Sequence, residues 1–380
     1  MKKKVSVIFG TRPEAIKLAP LIKSIENHPL FECNVCITGQ HKEMLFQVLN
    51  LFNIIPQVDL GLMRKNQSLS DLTARLITGL DAYLKGYEPD IVIVQGDTTT
   101  VFIATLAAFY NQIPIGHVEA GLRTNNLYSP WPEEGNRRIT TQLSNFHFAP
   151  TKLSKENLVR ENVNTDDIYV TGNTVIDALK YITERLKTES VPIKGIPESL
   201  QLKVNKTKII LITGHRRENF GNSFNNICNA IKELALDHPE ISFIYPVHLN
   251  PNVREPVNRI LNSSDLDNVF LIEPLEYLPF VSLMARSYII LTDSGGIQEE
   301  APSLDVPVLV MRDTTEPPEA IEAGTAKLIG TDKETIVSEV KNLIDNNGEY
   351  SKMKKSINPY GDGKASERII RILEERLYEK

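Results

Sequence analysis

A regular alternation of short β-rich apolar runs with helix-length amphipathic stretches constrains this chain more than any other feature. In the first half the runs are Val5–Phe9, Val35–Ile37, Ile91–Val94, Ile113–Val118, Phe146–Ala149 and Ile168–Val170. In the second half they are Ile209–Thr213, Ser242–Val247, Val269–Ile272, Tyr288–Thr292, Val306–Val310 and Ala326–Ile329. Between them, Ala15–Glu26, Leu69–Leu84, Phe102–Tyr110, Ser223–Leu236 and Ile336–Ile344 carry apolar residues at helical spacing. Strands joined through a helix lie parallel, and near-continuous apolar strands mean that both sheet faces are covered. The expected class is therefore α/β, with two doubly wound parallel-sheet, Rossmann-like domains. At 380 residues the chain exceeds the usual reach of one core. Residues 1–170, with a returning terminal helix over 366–380, are read as the first domain, and 171–365 as the second. Lys187–Lys208, holding Pro192, Gly195 and Pro197 without a period, is the best connector, and Asn358–Gly363 breaks the chain before the last helix.

Composition narrows the function classes. Apolar residues at 41% and charged residues at 24% fit a soluble globular enzyme rather than a disordered chain. The net charge is 42 − 48 = −6 with no long basic stripe, which argues against nucleic acid as a partner. No apolar run approaches ~18 residues, so no membrane span is expected. The apolar run behind Met1–Lys4 is too short for a signal peptide and reads as the first strand. Three cysteines, Cys33, Cys36 and Cys228, point to a reducing cytoplasm. Cys33 and Cys36 fall in a strand pattern on opposite faces, and no second pair completes a tetrahedral site, so they read as structural.

Ligands in such sheets bind beyond the carboxyl ends of strands, and the chemistry-bearing residues follow strands here. Asp293-Ser294-Gly295-Gly296-Ile297-Gln298-Glu299-Glu300 follows Tyr288–Thr292 and opens a helix. Its glycines let backbone approach a ligand, the helix start offers unpaired N–H groups and a positive dipole end, and Glu300 lies where it can accept from sugar hydroxyls. That pattern suits a nucleotide or sugar nucleotide; the plain alternative is a turn that needs glycine for packing. Gly10-Thr11-Arg12-Pro13-Glu14 follows the first strand, with Arg12 placed for a phosphate, Pro13 suited to the first helical turn and Lys17 one turn on. Asp97, after Ile91–Val94, either caps the next helix or faces the cleft as a free carboxylate. Glu119 closes the following strand, a costly place for an unpaired carboxylate. Glu133 and Glu134 read as dipole-matched acids pairing with Arg137 and Arg138 at i,i+4. His215, after Ile209–Thr213, either meets a phosphate, shuttles a proton or is structural, and His248 is a weaker candidate. Asp265-Leu266-Asp267 precedes a strand, at the wrong end of the sheet, and is rejected as a metal site.

Taken in order, Gly10-Thr11-Arg12-Pro13-Glu14, Gly39-Gln40-His41, Gln95-Gly96-Asp97-Thr98, His117-Val118-Glu119-Ala120-Gly121-Leu122-Arg123, Pro132-Glu133-Glu134, Gly214-His215-Arg216-Arg217-Glu218-Asn219 and Asp293-Ser294-Gly295-Gly296 resemble the motifs of the bacterial non-hydrolysing UDP-N-acetylglucosamine 2-epimerases. The resemblance runs from Val5 to about Gly363. It implies a glycosyltransferase-B-like fold with the ligand in the interdomain cleft. It implies interconversion of UDP-N-acetylglucosamine and UDP-N-acetylmannosamine for cell-surface polysaccharide synthesis, by a homodimer using neither metal nor nicotinamide. Position by position, Arg12, Lys17, His215, Phe280, Ser294, Gly295, Gly296 and Glu300 correspond to UDP contacts, and Leu275 to a uracil-contacting position where some relatives carry glutamine. Asp97, Glu119, Glu133 and His215 correspond to the catalytic candidates. Parts of a second, activating site correspond to Gln40, Glu43, Asn66, Arg216 and His248. Glu43 and Asn66 replace the glutamine and arginine of activated relatives, so a hyperbolic rate curve without activation is expected. Relatives often carry arginine where this chain reads Thr315-Glu316-Pro317-Pro318-Glu319, leaving Arg312 as the neighbouring cation. The chemistry implied is elimination of UDP, proton transfer at C2 by two groups on opposed faces, and re-addition. A glycosyltransferase, a hydrolysing epimerase and a non-catalytic sugar-nucleotide sensor are the competing readings.

Overall fold

The parallel sheets follow from the apolar runs. The computed structural model describes residues 1–39, 42–64, 67–196, 198, 208–314 and 318–378. Met1–Tyr181 with Tyr360–Lys380 forms one compact unit, and Ile182–Pro359 another.

In unit 1 the strands are β1 (Lys3–Phe9), β2 (Phe31–Ile37), β3 (Val58–Asp59), β4 (Ile91–Gln95), β5 (Ile115–Val118), β6 (Phe146–Ala149) and β7 (Ile168–Val170). They form one sheet in the order β3-β2-β1-β4-β5-β6-β7, with parallel pairing throughout. Val7 of β1 sits opposite Val35 on one side and Ile93 on the other. The helices are α1 (Arg12–Glu26), α2 (Lys42–Leu51), α3 (Leu69–Tyr87), α4 (Thr99–Tyr110), α5 (Glu133–Leu143), α6 (Lys152–Arg160) and α7 (Thr174–Leu186), in whose course the first unit ends. Ile91, Val92, Ile93 and Val94 are fully buried, as a strand covered on both faces requires. Strand β3 was not expected: two residues are too few to carry an alternating pattern.

Unit 2 repeats the plan with β8 (Ile209–Thr213), β9 (Ser242–Pro246), β10 (Val269–Ile272), β11 (Ile289–Thr292), β12 (Val308–Val310) and β13 (Ala326–Leu328), ordered β10-β9-β8-β11-β12-β13 and all parallel. Its helices are α8 (Asn222–Asp237), α9 (Pro251–Leu261), α10 (Tyr277–Arg286), α11 (Gly295–Glu300), α12 (Glu319–Glu322), α13 (Lys333–Asp345) and α14 (Asn347–Lys354). Phe224, Ile227 and Ile231 of α8 pack with Phe243 and Leu291 in one buried cluster.

The last helix, α15 (Ala365–Tyr378), belongs to unit 1. The Asp177 carboxylate of α7 accepts the backbone N–H of Ala365 (3.1 Å) and Ser366 (2.7 Å), capping its start, and the Tyr378 hydroxyl donates to the Leu30 carbonyl at 2.6 Å. The crossings between units thus lie within α7 and at Tyr360, not at 170/171 and 365/366, because α7 and the α15 cap are joined by these bonds. Within the expected connector, Pro197 and residues 199–207 lie outside the described residues.

Candidate active site

Strand order reverses between β1 and β4 in unit 1 and between β8 and β11 in unit 2. At such a point neighbouring connections leave to opposite faces and open a crevice at the strand carboxyl ends.

In unit 1 the crevice is tied by Glu14. Its buried carboxylate accepts the backbone N–H groups of Gly10 (3.1 Å) and Thr11 (2.7 Å) and the hydroxyl of Thr98 (2.8 Å), joining the β1 and β4 turns. Thr11 completes a capping box with Glu14 at the start of α1, where Arg12 and Pro13 are the first residues. Burial raises the Glu14 pKa, against the pull of its donors. Asp97 does not cap α4. Thr98 does so through the Val101 N–H, and this frees the Asp97 carboxylate. That carboxylate takes a two-pronged contact from Arg137, at 2.9 Å to Nε and 2.7 Å to Nη2, while Asn136 donates to the Asp97 carbonyl at 2.8 Å. Arg137 also reaches the fully buried Glu134 at 3.2 Å. Burial alone would lower the Arg137 pKa, but Asp97 and Glu134 outweigh it and the guanidinium is held charged.

The expected Glu134–Arg138 pair is present at 3.2 Å, but Glu133–Arg137 is not: Asp97 and Glu134 occupy that guanidinium. Glu133, the first residue of α5, is half-buried, and its side chain makes no hydrogen bond or ion pair to a described residue. Glu119 sits just after β5 at φ 65° and is buried. It is not an unpaired carboxylate. Lys17 ion-pairs with it, Gln95 donates to it, and Asn173 donates at 3.0 Å. His117 Nε2 donates to the Gly96 carbonyl at 2.8 Å, and burial pushes its pKa down to about 3, so this ring is a neutral strut at working pH.

In unit 2 the corresponding tie is Asp293, fully buried after β11. Its Oδ2 accepts the backbone N–H of His215 and of Arg216, each at 2.8 Å, and Asn219 Nδ2 at 3.3 Å. The loop after β8 is thereby bound to the turn that starts α11. His215 is exposed, its ring stacks on His248 with centroids 5.4 Å apart, and burial of part of the ring lowers its pKa against the attraction of Asp293. Ser294 precedes α11 with no side-chain cap, and Gly295 and Gly296 open the helix. A Cβ on Gly296 would meet nothing within 4 Å, so packing within the chain does not demand glycine there. Glu300, at the end of that helix, accepts the Tyr277 hydroxyl at 2.8 Å. Leu275 and the α10 residue Phe280 are half-buried beyond β10. Arg312 is buried and ion-paired with Glu218.

Of the second-site residues, Gln40 and Asn66 lie outside the described residues, as do Thr315, Glu316 and Pro317; Glu43 and Arg216 are exposed, and His248 is the stacking partner of His215. No group of three or more metal-ligating side chains occurs among the described residues. Arg137, Gln95 and Asn173 were not anticipated at the site. Asn173 follows β7 by the same strand-end rule that found Asp97, whereas the reach of Arg137 across to Asp97 has no local signature.

Two Rossmann-like units, each gathering charged side chains at the switch point of a parallel sheet, define a nucleotide-handling α/β protein. The family model for UDP-N-acetylglucosamine 2-epimerase matches residues 23–374. The UDP-N-acetylglucosamine 2-epimerase of Escherichia coli strain K12 is 55% identical over 370 residues, covering 97% of this chain and 98% of that protein. The one from Campylobacter jejuni is 53% identical over 377 residues, covering 98% of each. The crystal structure of UDP-GlcNAc 2-epimerase from Neisseria meningitidis bound to UDP-GlcNAc superposes with a TM-score of 0.87 at 53% identity, over 97% of this chain and 99% of that one. The chain belongs to the UDP-N-acetylglucosamine 2-epimerase family.

Proposed function

We propose that this protein interconverts UDP-N-acetylglucosamine and UDP-N-acetylmannosamine by eliminating UDP and adding it back. The observation that carries the reading is the identity of 55% along nearly the whole chain to an enzyme of that name; it is supported by the positions of Asp97, Glu119, His215 and Ser294 just after strands β4, β5, β8 and β11.

In unit 2, the N–H groups at Ser294–Gly296 and the His215 ring receive the diphosphate, Glu300 accepts from the ribose, and Leu275 and Phe280 flank the base. In unit 1, Arg12 and Lys17 add positive charge, and Asp97, Glu119 and Glu133 form the pool of proton-handling groups. The anomeric C1–O bond breaks first, its electron pair leaving with the β-phosphate oxygen. The oxocarbenium-like sugar that remains makes C2–H acidic. A carboxylate takes that proton, and the C–H pair becomes the C1=C2 bond of 2-acetamidoglucal. Return of the phosphate oxygen to C1 and delivery of a proton to the other face of C2 complete the inversion.

The three acids differ in what opposes their charge. Asp97 faces Arg137, and Glu119 faces Lys17, Gln95 and Asn173. Glu133 has no charged partner among the described residues, which suits a group that must change protonation in each cycle. Lys17 ion-pairs with Glu119, and a ligand phosphate near it would compete for that ammonium group. The protein acts in the cytoplasm as a homodimer, supplying cell-surface polysaccharide synthesis, and with Glu43 and Asn66 in place of the glutamine and arginine of activated relatives it works without activation by substrate.

An NMR time course of the purified protein with UDP-N-acetylglucosamine tests the reading. Appearance of UDP-N-acetylmannosamine is expected. Free N-acetylmannosamine with stoichiometric UDP would indicate hydrolysis instead, and an unchanged spectrum would leave only a binding protein.

A further inference from the structure

The Asp293 carboxylate does more than join two loops. One oxygen, Oδ2, is consumed by the backbone N–H groups of His215 and Arg216 and by Asn219. The other, Oδ1, is buried, makes no hydrogen bond to a described residue, and lies 3.5 Å from His215 Nδ1. An unsatisfied buried carboxylate oxygen calls for a donor, and the nearest ionisable one is that ring nitrogen. The backbone of His215 is fixed by the same carboxylate, so a small turn of the ring closes the contact. The surroundings keep the carboxylate in place. The Tyr245 hydroxyl donates to the Gly214 carbonyl at 3.0 Å, a Cβ on Gly214 would crowd that hydroxyl at 3.1 Å, and Asn219 Nδ2 also reaches the Met311 carbonyl at 3.1 Å.

We propose that Asp293 is a positioning residue for His215: Oδ2 pins the loop backbone, and Oδ1 holds the proton on Nδ1, so that Nε2 is the nitrogen turned to the substrate. This rests on the reading of His215 as a group that meets the UDP-sugar. In the neutral ring the lone pair then lies on Nε2, which can take a proton; once protonated, the same nitrogen donates toward the departing phosphate oxygen, and the imidazolium is stabilised through Nδ1–H by Asp293. Nε2 takes this proton from solvent, lends it to the departing phosphate oxygen and takes it back as that oxygen re-forms its bond to C1, so charge and protons balance over a turnover. Besides Asp293, the titratable and charged groups facing the ring are His248, which stacks on it, and Arg216, and both disfavour the charged ring. Asp293 is the one anion set against them among the described residues.

The decisive variant is Asp293→Asn. Two backbone N–H groups still require an acceptor at the Oδ2 position, so the amide oxygen stays there and the NH2 group faces Nδ1. The ring must then carry its proton on Nε2, the wrong nitrogen for accepting. We expect kcat to fall by about 10²–10⁴-fold with KM little changed, the size of loss seen when a histidine is left in the wrong tautomer or an acid–base group is removed. The double variant Asp293→Asn/His215→Asn should be no slower than His215→Asn alone, because both changes disable one unit. Nitrogen-15 NMR of the full-length protein supplies a readout that does not depend on turnover. At a pH where the ring is neutral, wild-type His215 should show its proton on Nδ1, and Asp293→Asn should move it to Nε2. Multiplicative losses in the double variant would overturn the proposal, and so would a wild-type ring protonated on Nε2, a result that stands even if Asp293→Asn fails to fold. A wild-type protein that showed the Nδ1–H tautomer but converted no UDP-sugar would instead count against the proposed function alone.

Discussion

Acid should loosen unit 1 through two histidines that do no chemistry. His117 and His147 are buried side by side in sequence-adjacent strands β5 and β6, directly paired in register, and neither Nδ1 has a hydrogen-bond partner among the described residues. Burial drives the pKa of His117 from 6.5 to about 3 and that of His147 from 6.5 to about 4. The folded state therefore refuses protons that the unfolded chain accepts below pH 6.5. The stability held in these neutral rings is present above the unfolded pKa and is lost as pH falls through and below it. At pH 5 the unfolded chain has gained about 1.5 pH units of protonation free energy at each ring while the folded rings remain neutral, which is roughly 2 kcal/mol per histidine and about 4 kcal/mol for both. A His147→Phe variant removes one of the two contributions while keeping the ring apolar and of similar size. Urea unfolding followed by circular dichroism at pH 7 and pH 5, on wild type and variant, isolates the difference and cancels titrations common to both. With a slope near 2 kcal/mol per M, the variant should lose about 1 M less of its midpoint between the two pH values than wild type. Identical pH shifts in the two proteins would refute the argument.

Other expectations are shorter. Asp97→Asn should cut kcat by about 10²–10⁴-fold if the carboxylate handles a proton, and nearly full activity would remove it from the mechanism. Gly296→Ala should leave folding within about 1 kcal/mol, since its Cβ meets open space, yet weaken UDP binding measured by calorimetry; equal affinity would mean that no ligand approaches that backbone. Arg137→Met removes the cation shared by Asp97 and the fully buried Glu134; since Glu134 keeps Arg138, stability should fall by about 1–3 kcal/mol in a thermal or urea melt, and an unchanged midpoint would contradict this.

Much of the architecture was legible in the sequence because parallel strands buried on both faces leave continuous apolar runs. Ile209–Thr213 appears in the structure as read, and Ile91–Val94 with Gln95 added. The two-residue β3 was not legible, since its pairing to β2 rests on backbone hydrogen bonds that no side-chain pattern announces. Asp97, Glu119 and His215 do follow strands, as the sequence order has them, but local spacing misassigned the partner of Arg137. Helical i,i+4 logic gave Arg137 to Glu133, whereas the fold brings it to Asp97, forty residues away in sequence, and that choice depends on tertiary approach of α5 to the β4 turn. Of the two roles open to Asp97, the cap went to its neighbour Thr98, although aspartate is by propensity the better cap. Likewise, Asn173 and Gln95 converge on Glu119 from β7 and β4 only once the sheet order is known.

The central claim is that the C2 hydrogen leaves the sugar while UDP is detached. Running the reaction in D₂O and following C2 by NMR and mass spectrometry tests it most directly. Deuterium is expected at C2 of the UDP-N-acetylmannosamine formed, with UDP and 2-acetamidoglucal trapped in small amounts on rapid quenching. Epimerised product that keeps its original C2 hydrogen and never releases the phosphate oxygen from C1 would contradict it.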